Sequence, residues 1–228
     1  MIRFTYVNRI GEWSSAAGIA RSLGVPGYAA ASEYNYFCLT FWLSSGPADA
    51  ALVWNNPMAY MGASELGSTN EEIRTNILSR FHSAGIKLMV SAFGATENPT
   101  TEGKDPADSA RSLAKYVNDN ILDGVDIDWE DTAAFQSGIG EQWLITFTTT
   151  LRAELSDGKK ITHAPQAPYF VGDPQFYPNG GYIKVEQEVG SMIDFYNVQF
   201  YNQQSTPYNT SLGLFNVSGG WAPGTSVN

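Results

Sequence analysis

The sequence predicts an α/β fold built from repeated βα units, and three observations carry that expectation. Strand-like runs recur at Arg3–Val7, Tyr36–Leu43, Lys87–Phe93, Gly124–Asp128, Lys160–Ala164 and Phe195–Phe200, with starts separated by 33, 51, 37, 36 and 35 residues. Helical stretches lie between the runs. Polar residues crowd the C-terminal ends of several runs. Such a rhythm produces parallel strands joined by right-handed crossovers. The 228 residues contain no residue-level repeat, low-complexity tract or interdomain linker, so a single domain spanning 1–228 is expected.

The helices carry their own start signals. Thr69 and Glu72 form a capping box ahead of Ile73, Ile77, Leu78 and Phe81. Asp105 and Pro106 suit an N-cap and a first helical turn, after which Leu113, Val117 and Ile121 make one stripe. Leu144, Phe147, Leu151 and Leu155 make another. Each stripe would cover one face of a sheet. A parallel sheet of this size is either open and doubly wound or closed into a barrel. No GxGxxG or Walker pattern occurs, which disfavours the nucleotide-binding form. Polar strand ends suit a barrel, whose active site lies at that rim.

Composition limits the function. Thirteen Lys and Arg against 23 Asp and Glu give a formal charge of −10, which disfavours nucleic acid and anionic membrane as partners. No run of 18 apolar residues exists to span a bilayer. The opening MIRFTYVNRIGEW lacks the apolar stretch of a signal peptide. Cys38 is alone and excludes an internal disulfide; with His82 and His163 as the sole histidines, a zinc cluster is not expected. Flanked by Phe37 and Leu39, Cys38 reads as a small buried hydrophobe. The chemistry falls to carboxylates, hydroxyls, amides and rings.

The most informative segment is LDGVDIDWED, residues 122–131. Strand alternation puts Gly124, Asp126, Asp128 and Glu130 on one face and Val125, Ile127 and Trp129 on the other. Three acids in a row, with no Lys or Arg in the segment, are costly to bury unless they share protons and hydrogen bonds. The chemical reading is a coupled stack: Asp126 and Asp128 share a proton, and Glu130, nearest the rim, serves as general acid.

DGVDIDWE resembles the DGxDxDxE signature of glycoside hydrolase family 18, the chitinases and endo-β-N-acetylglucosaminidases, with every acidic position filled. SAFG (91–94) resembles the family's third-strand serine motif, VQFYNQ (198–203) its QxYN pattern, and THAPQAPYF (162–170) the fifth-strand end of fungal members. The resemblance implies a (β/α)8 TIM barrel and a retaining, substrate-assisted hydrolysis of β-1,4 N-acetylglucosamine linkages, one of the exceptions to the two-carboxylate scheme. On that scheme Glu130 protonates the glycosidic oxygen and the substrate's N-acetyl oxygen attacks to give an oxazolinium ion. Asp128 orients the acetamide N–H, Asp126 tunes Asp128, and Tyr201 donates to the acetamide carbonyl. It implies no metal or cofactor.

Further residues are expected to bind sugar. Ser91, Gln199 and Asn202 lie within the matched segments, while Gln166 and Tyr169 follow the fifth strand and either contact sugar or complete a turn containing Pro165 and Pro168. Tyr6, Phe41, Trp42, Trp54 and Trp129 supply rings that serve as sugar platforms or as core. Trp129 is the preferred platform through its adjacency to Glu130, although alternation turns it from the acids. His82 reads as a helix-end residue and His163 as a strand residue, neither of them catalytic. Asn209 and Asn216 are sequons; with the family they point to an extracellular protein, against the missing signal pattern.

Six of the eight βα units are expected from this sequence. After residue 205 a Gly-, Ser- and Asn-rich stretch replaces the strand pattern, and Trp221 does not stand in a strand context. Six strands of an eight-strand design leave two open edges, so an incomplete catalytic domain, another mode of closure or an oligomer is expected. Three functions compete: an endo-acting chitinase, an endo-β-N-acetylglucosaminidase acting on N-glycans, and a non-catalytic chitin- or carbohydrate-binding protein. Retention of Glu130 favours an enzyme.

Overall fold

The computed structural model describes residues 2–23, 34–62, 65–170 and 174–201. Its strands are β1 (Phe4–Val7), β2 (Tyr36–Leu43), β3 (Gly46–Pro47), β4 (Lys87–Phe93), β5 (Gly124–Asp128), β6 (Lys160–His163) and β7 (Phe195–Tyr196). The six expected runs are all present. Differences are small: β1 begins at Phe4, β6 stops at His163, and β7 is short because Asn197 to Phe200 continue without a regular ladder. The short β3, which turns back antiparallel onto β2, was not expected.

Two compact units are present. The first comprises the described residues of Met1–Ala92, Leu113–Asp126 and Leu155–Lys160. Within it β1 pairs with β2, and β2 with β4, all parallel. Two polar residues set register at strand starts. Asn35 Oδ1 accepts Arg3 N–H at 2.9 Å just before β2, and Asp123 Oδ2 accepts Leu88 N–H at 2.8 Å just before β5. Gly124 is required beside Lys160, since a Cβ there would fall 2.3 Å from the Lys160 carbonyl oxygen.

Helix Asn70–Ser83 is capped by Thr69, whose Oγ1 accepts Glu72 N–H at 3.1 Å. The Glu72 side chain reaches back in return, with the Thr69 backbone among its partners. Its carboxylate takes Ser68 N–H at 2.7 Å, one residue earlier. Ile73, Ile77, Leu78 and Phe81 are buried as the periodicity requires. Helix Asp49–Asn55 is tied to the chain around 116–120: Tyr116 Oη donates to Ala51 O at 2.7 Å and Trp54 Nε1 to Asn120 O at 3.1 Å. Ile121 leaves the expected stripe. It lies beyond the helix end at Asp119, has φ 53° and is exposed, while Leu113 and Val117 are buried.

The second unit comprises the described residues of Phe93–Ser112, Ile127–Glu154 and Ile161–Asn228. Here β6 pairs with β7 in parallel, and Ala164 N–H donates to Ile127 O at 2.9 Å. Asp194, just before β7, accepts Ile161 N–H at 2.9 Å. Asp105 caps its helix by accepting Asp108 N–H at 2.8 Å. Leu144, Phe147 and Leu151 of helix Gly140–Glu154 are fully buried. An aromatic cluster of Trp129, Phe135, Tyr169, Tyr177 and Tyr182 fills the core, with Trp129 and Phe135 centroids 4.6 Å apart. No described helix is long and apolar enough to cross a membrane.

Candidate active site

The acids of β5 stand on alternate residues of one strand, and each is held differently. In the first unit Asp126 is wholly buried (0% exposed). Its Oδ2 accepts from Tyr6 Oη at 2.9 Å and from Ser91 Oγ at 3.2 Å. Hydroxyls from β1 and β4 thus satisfy a carboxylate that burial would otherwise penalise.

In the second unit Asp128 is buried and Glu130, one step past the strand, is half-buried. Gln199 Nε2 donates to Asp128 Oδ1 at 2.7 Å and to Glu130 Oε1 at 3.3 Å. The same nitrogen lies 2.8 Å from Ala164 O. Carboxylate and carbonyl oxygens are acceptors, so the amide must present its nitrogen here. Gln166 Nε2 donates to the other oxygen of Glu130, Oε2, at 3.2 Å. The backbones of these glutamines are mutually fixed. They form a parallel bridge, Gln199 N–H donates to Pro165 O at 2.8 Å, and Ala167 N–H donates to Gln199 O at 3.0 Å.

Asp131, which sequence reasoning passed over, anchors the neighbouring loop. It is 1% exposed, accepts Thr101 N–H and Thr101 Oγ1–H, both at 2.6 Å, and caps helix Thr132–Gln136 through Ala134 N–H at 3.3 Å. An acid directly before a TAAF helix start was the available signal.

Ring assignments change most. Trp129 is fully buried against Phe135 and donates through Nε1 to Thr100 Oγ1 at 3.2 Å, so it is core and not a sugar platform. Trp42 and Trp54 are likewise buried. Tyr169 is buried too: its Oη pairs with Thr132 Oγ1 at 2.6 Å, and burial drives the phenol's pKa upward, so it stays protonated. It completes the core behind the turn and cannot stack on a sugar. Phe41 is half-buried, with its carbonyl accepting Ala48 N–H at 2.9 Å. Tyr6 remains partly accessible. Tyr201 is 58% exposed. Asn202, Asn209, Asn216 and Trp221 lie outside the described residues.

Neither histidine joins the acids. His82 Nε2 pairs with Asp123 Oδ2 at 2.9 Å in the first unit. His163 is buried, with Nδ1 3.0 Å from Tyr182 Oη and Nε2 3.4 Å from Thr148 Oγ1 in the second. Cys38 is a free, buried thiol.

Comparison with family models matches residues 21–222 to glycosyl hydrolases family 18. Among solved structures, a GH18 chitinase from Pseudoalteromonas aurantia aligns with TM-score 0.64 and 31% identity over 94% of this chain and 74% of that one. A putative chitinase A from Streptomyces coelicolor aligns with TM-score 0.56 and 19% identity, over 88% of this chain and 60% of its own. The chitinase ChiC from Aspergillus fumigatus gives TM-score 0.55 and 18% identity over 89% and 68%. Comparison with curated proteins finds no match. The parallel strands described above belong to a partial (β/α)8 barrel, six of whose strands are present among the described residues.

Proposed function

The chain belongs to glycosyl hydrolases family 18, a chitinase-like group of hydrolases, and from that membership we propose that it is an endo-acting chitinase. Its substrate would be chitin or another oligosaccharide of β-1,4-linked N-acetylglucosamine, cleaved with retention by a substrate-assisted route. The observation that carries this reading is the graded burial of the acid row: Asp126 sealed, Asp128 buried, Glu130 half-open.

A proton donor must reach solvent-borne sugar, whereas an orienting carboxylate works best desolvated. Glu130 would protonate the glycosidic oxygen as the C1–O bond breaks. The acetamide oxygen would attack C1 to form an oxazolinium ion, with Asp128 holding the acetamide N–H and Asp126 sharing a proton with Asp128. Water, deprotonated by Glu130, would then open the oxazolinium and return the proton to the acid. Tyr201 is assigned to the acetamide carbonyl and Tyr6, Phe41 and Asn202 to the sugar's surroundings, while the buried Ser91 serves Asp126. Every group required is a carboxyl, hydroxyl or amide of this chain or of the substrate, so the proposal invokes no cofactor.

The 31% identity to the P. aurantia chitinase favours chitin over N-glycan. A fluorogenic chitotriose assay beside a glycoprotein deglycosylation assay tests this. Release of fluorophore with intact glycoprotein is expected; deglycosylation without chitotriose cleavage would move the protein to the N-glycan reading. Binding of chitin oligomers without turnover would reduce it to a binding protein.

A further inference from the structure

We propose that Gln166 and Gln199 are positioning residues with divided duties: Gln166 holds the acid Glu130 alone, and Gln199 holds Glu130 and Asp128 together. This rests on the hydrolase reading above and deepens it. Gln199 was expected to touch sugar, and Gln166 either to touch it or to complete a turn. Their amide nitrogens instead point at the protein's own acids.

Gln199 is 7% exposed, and its Nε2 spans Asp128 Oδ1, Glu130 Oε1 and Ala164 O at 2.7, 3.3 and 2.8 Å. An amide nitrogen carries two hydrogens, so with three acceptors both are engaged and one is shared in a three-centre bond. It has no N–H left for a ligand. Gln166 is half-buried and its Nε2 meets Glu130 Oε2 at 3.2 Å. The two oxygens of Glu130 are therefore each held by a different amide, and the backbones of these two glutamines are bridged to each other. Without these donors the carboxyl of Glu130 would be free to turn about its terminal torsion, which is intrinsically broad. A small misplacement of a reacting group costs on the order of 10²-fold in rate.

Divided duties predict different leaving-group dependences. Protonation matters when the departing group is a sugar alkoxide and matters little when it is 4-nitrophenol. Orientation of the acetamide by Asp128 matters in both cases. Loss of Gln166 should thus behave as a weakened acid, and loss of Gln199 as a weakened acid combined with a weakened orienter.

The experiment measures kcat and KM for the parent, Gln166→Leu, Gln199→Met and Glu130→Gln on unsubstituted chitotetraose and on 4-nitrophenyl chitobioside. In kcat/KM, which reports cleavage of the glycosidic bond and not the later attack of water in which Glu130 acts as base, Gln166→Leu should fall ~10–100-fold on chitotetraose and less than ~3-fold on the aryl glycoside. Gln199→Met should lose ~10–100-fold on both. If Gln199→Met fails to melt cooperatively, Gln199→Asn, one methylene too short to span both carboxylates, takes its place. A raised KM with unchanged kcat in Gln166→Leu would make that residue a sugar ligand and overturn the proposal. Equal losses of kcat/KM on the two substrates in Gln166→Leu would do the same. Glu130→Gln separates the failures. If it shows strong leaving-group dependence and Gln166→Leu does not, only this inference falls. If Glu130→Gln itself turns over normally, the acid assignment beneath it falls.

Discussion

The phenol of Tyr6 donates to Asp126 Oδ2 at 2.9 Å across 120 residues of sequence. With Ser91 Oγ on the same oxygen at 3.2 Å, two strands supply hydroxyls to a carboxylate that has no solvent contact. Their contribution is to stability as much as to function, because a buried acceptor stripped of a donor costs about 1–3 kcal/mol. Tyr6→Phe and Ser91→Ala should each lower unfolding free energy by about that amount in urea titrations, and should lower kcat through the misplaced Asp126. Wild-type stability in both variants would mean that these hydroxyls are incidental to Asp126.

Glu130→Gln should fold like the parent and lose turnover. The side chain keeps its shape and its half-open position but has no proton to give. General acid catalysis supplies about 10²–10⁴-fold, and the loss on unsubstituted chitotetraose should be at least that large. Thermal melts by circular dichroism check the fold, and a near-normal rate on chitotetraose would end the acid assignment.

Asp128→Asn should cost more rate than Asp126→Asn, since Asp128 is assigned to the substrate acetamide and Asp126 acts one step removed. Tyr201→Phe removes one hydrogen bond to that acetamide, so a smaller fall in kcat is expected. Three kcat values on one substrate decide the order. Parental activity in both aspartate variants would refute the proton-sharing pair, and an unchanged kcat in Tyr201→Phe would remove that tyrosine from the site.

Much of this scaffold was legible because two periodicities agree with the burial. Val125, Ile127 and Trp129 alternate with the acids and are fully buried, the acids of β5 being buried as well on hydrogen-bonding partners. Ile73, Ile77 and Phe81 follow the helical period and are fully buried as well. Legibility failed where a position has the right period but the backbone leaves its element. Ile121 continues a helical stripe in sequence, yet the chain turns at φ 53° and exposes it. Ring roles were illegible for a different reason. Nothing in the sequence of Trp129 or Tyr169 says that Phe135, Tyr177 and Tyr182 will gather around them. The amides on Glu130 are long-range contacts over 36 and 69 residues, which no local pattern encodes. Asn35, Asp123 and Asp194, each one residue before a strand, show a register device that reads as ordinary loop polarity until the ladders are seen.

The hydrolysis product should appear first as the β-anomer, and a thiazoline analogue of the oxazolinium ion should inhibit. Both follow from the substrate's acetamide acting as nucleophile: it attacks C1 from the face opposite the β leaving group, water then enters from the face that group left, and two inversions restore configuration. Proton NMR of the first minutes of chitotetraose cleavage shows which anomer leads. The α-anomer appearing first would contradict the substrate-assisted route and point to direct displacement by water.

His163 should make the protein acid-sensitive. Burial lowers its pKa from the ordinary 6.5 to about 3, because a charged imidazole would be desolvated between Thr148, Tyr182 and Tyr196. In the unfolded chain the imidazole takes up a proton near pH 6.5, whereas the folded chain refuses it until about pH 3. The stabilising contribution of the neutral ring is therefore complete above pH 6.5 and is lost as pH falls through the window from 6.5 towards 3. The slope in that window is about 1.4 kcal/mol per pH unit. Urea unfolding at pH 7 and pH 4.5 should show the parent losing about 3 kcal/mol more between the two conditions than His163→Gln, whose side chain cannot titrate. Carboxylates elsewhere contribute equally to both proteins and cancel in the difference. The variant will be less stable than the parent at pH 7, since the Tyr182 and Thr148 hydroxyls lose a fitted partner, so the comparison rests on the pH dependence and not on absolute stability. Identical pH dependence in the two proteins would show that the folded chain admits a proton at His163 despite its burial.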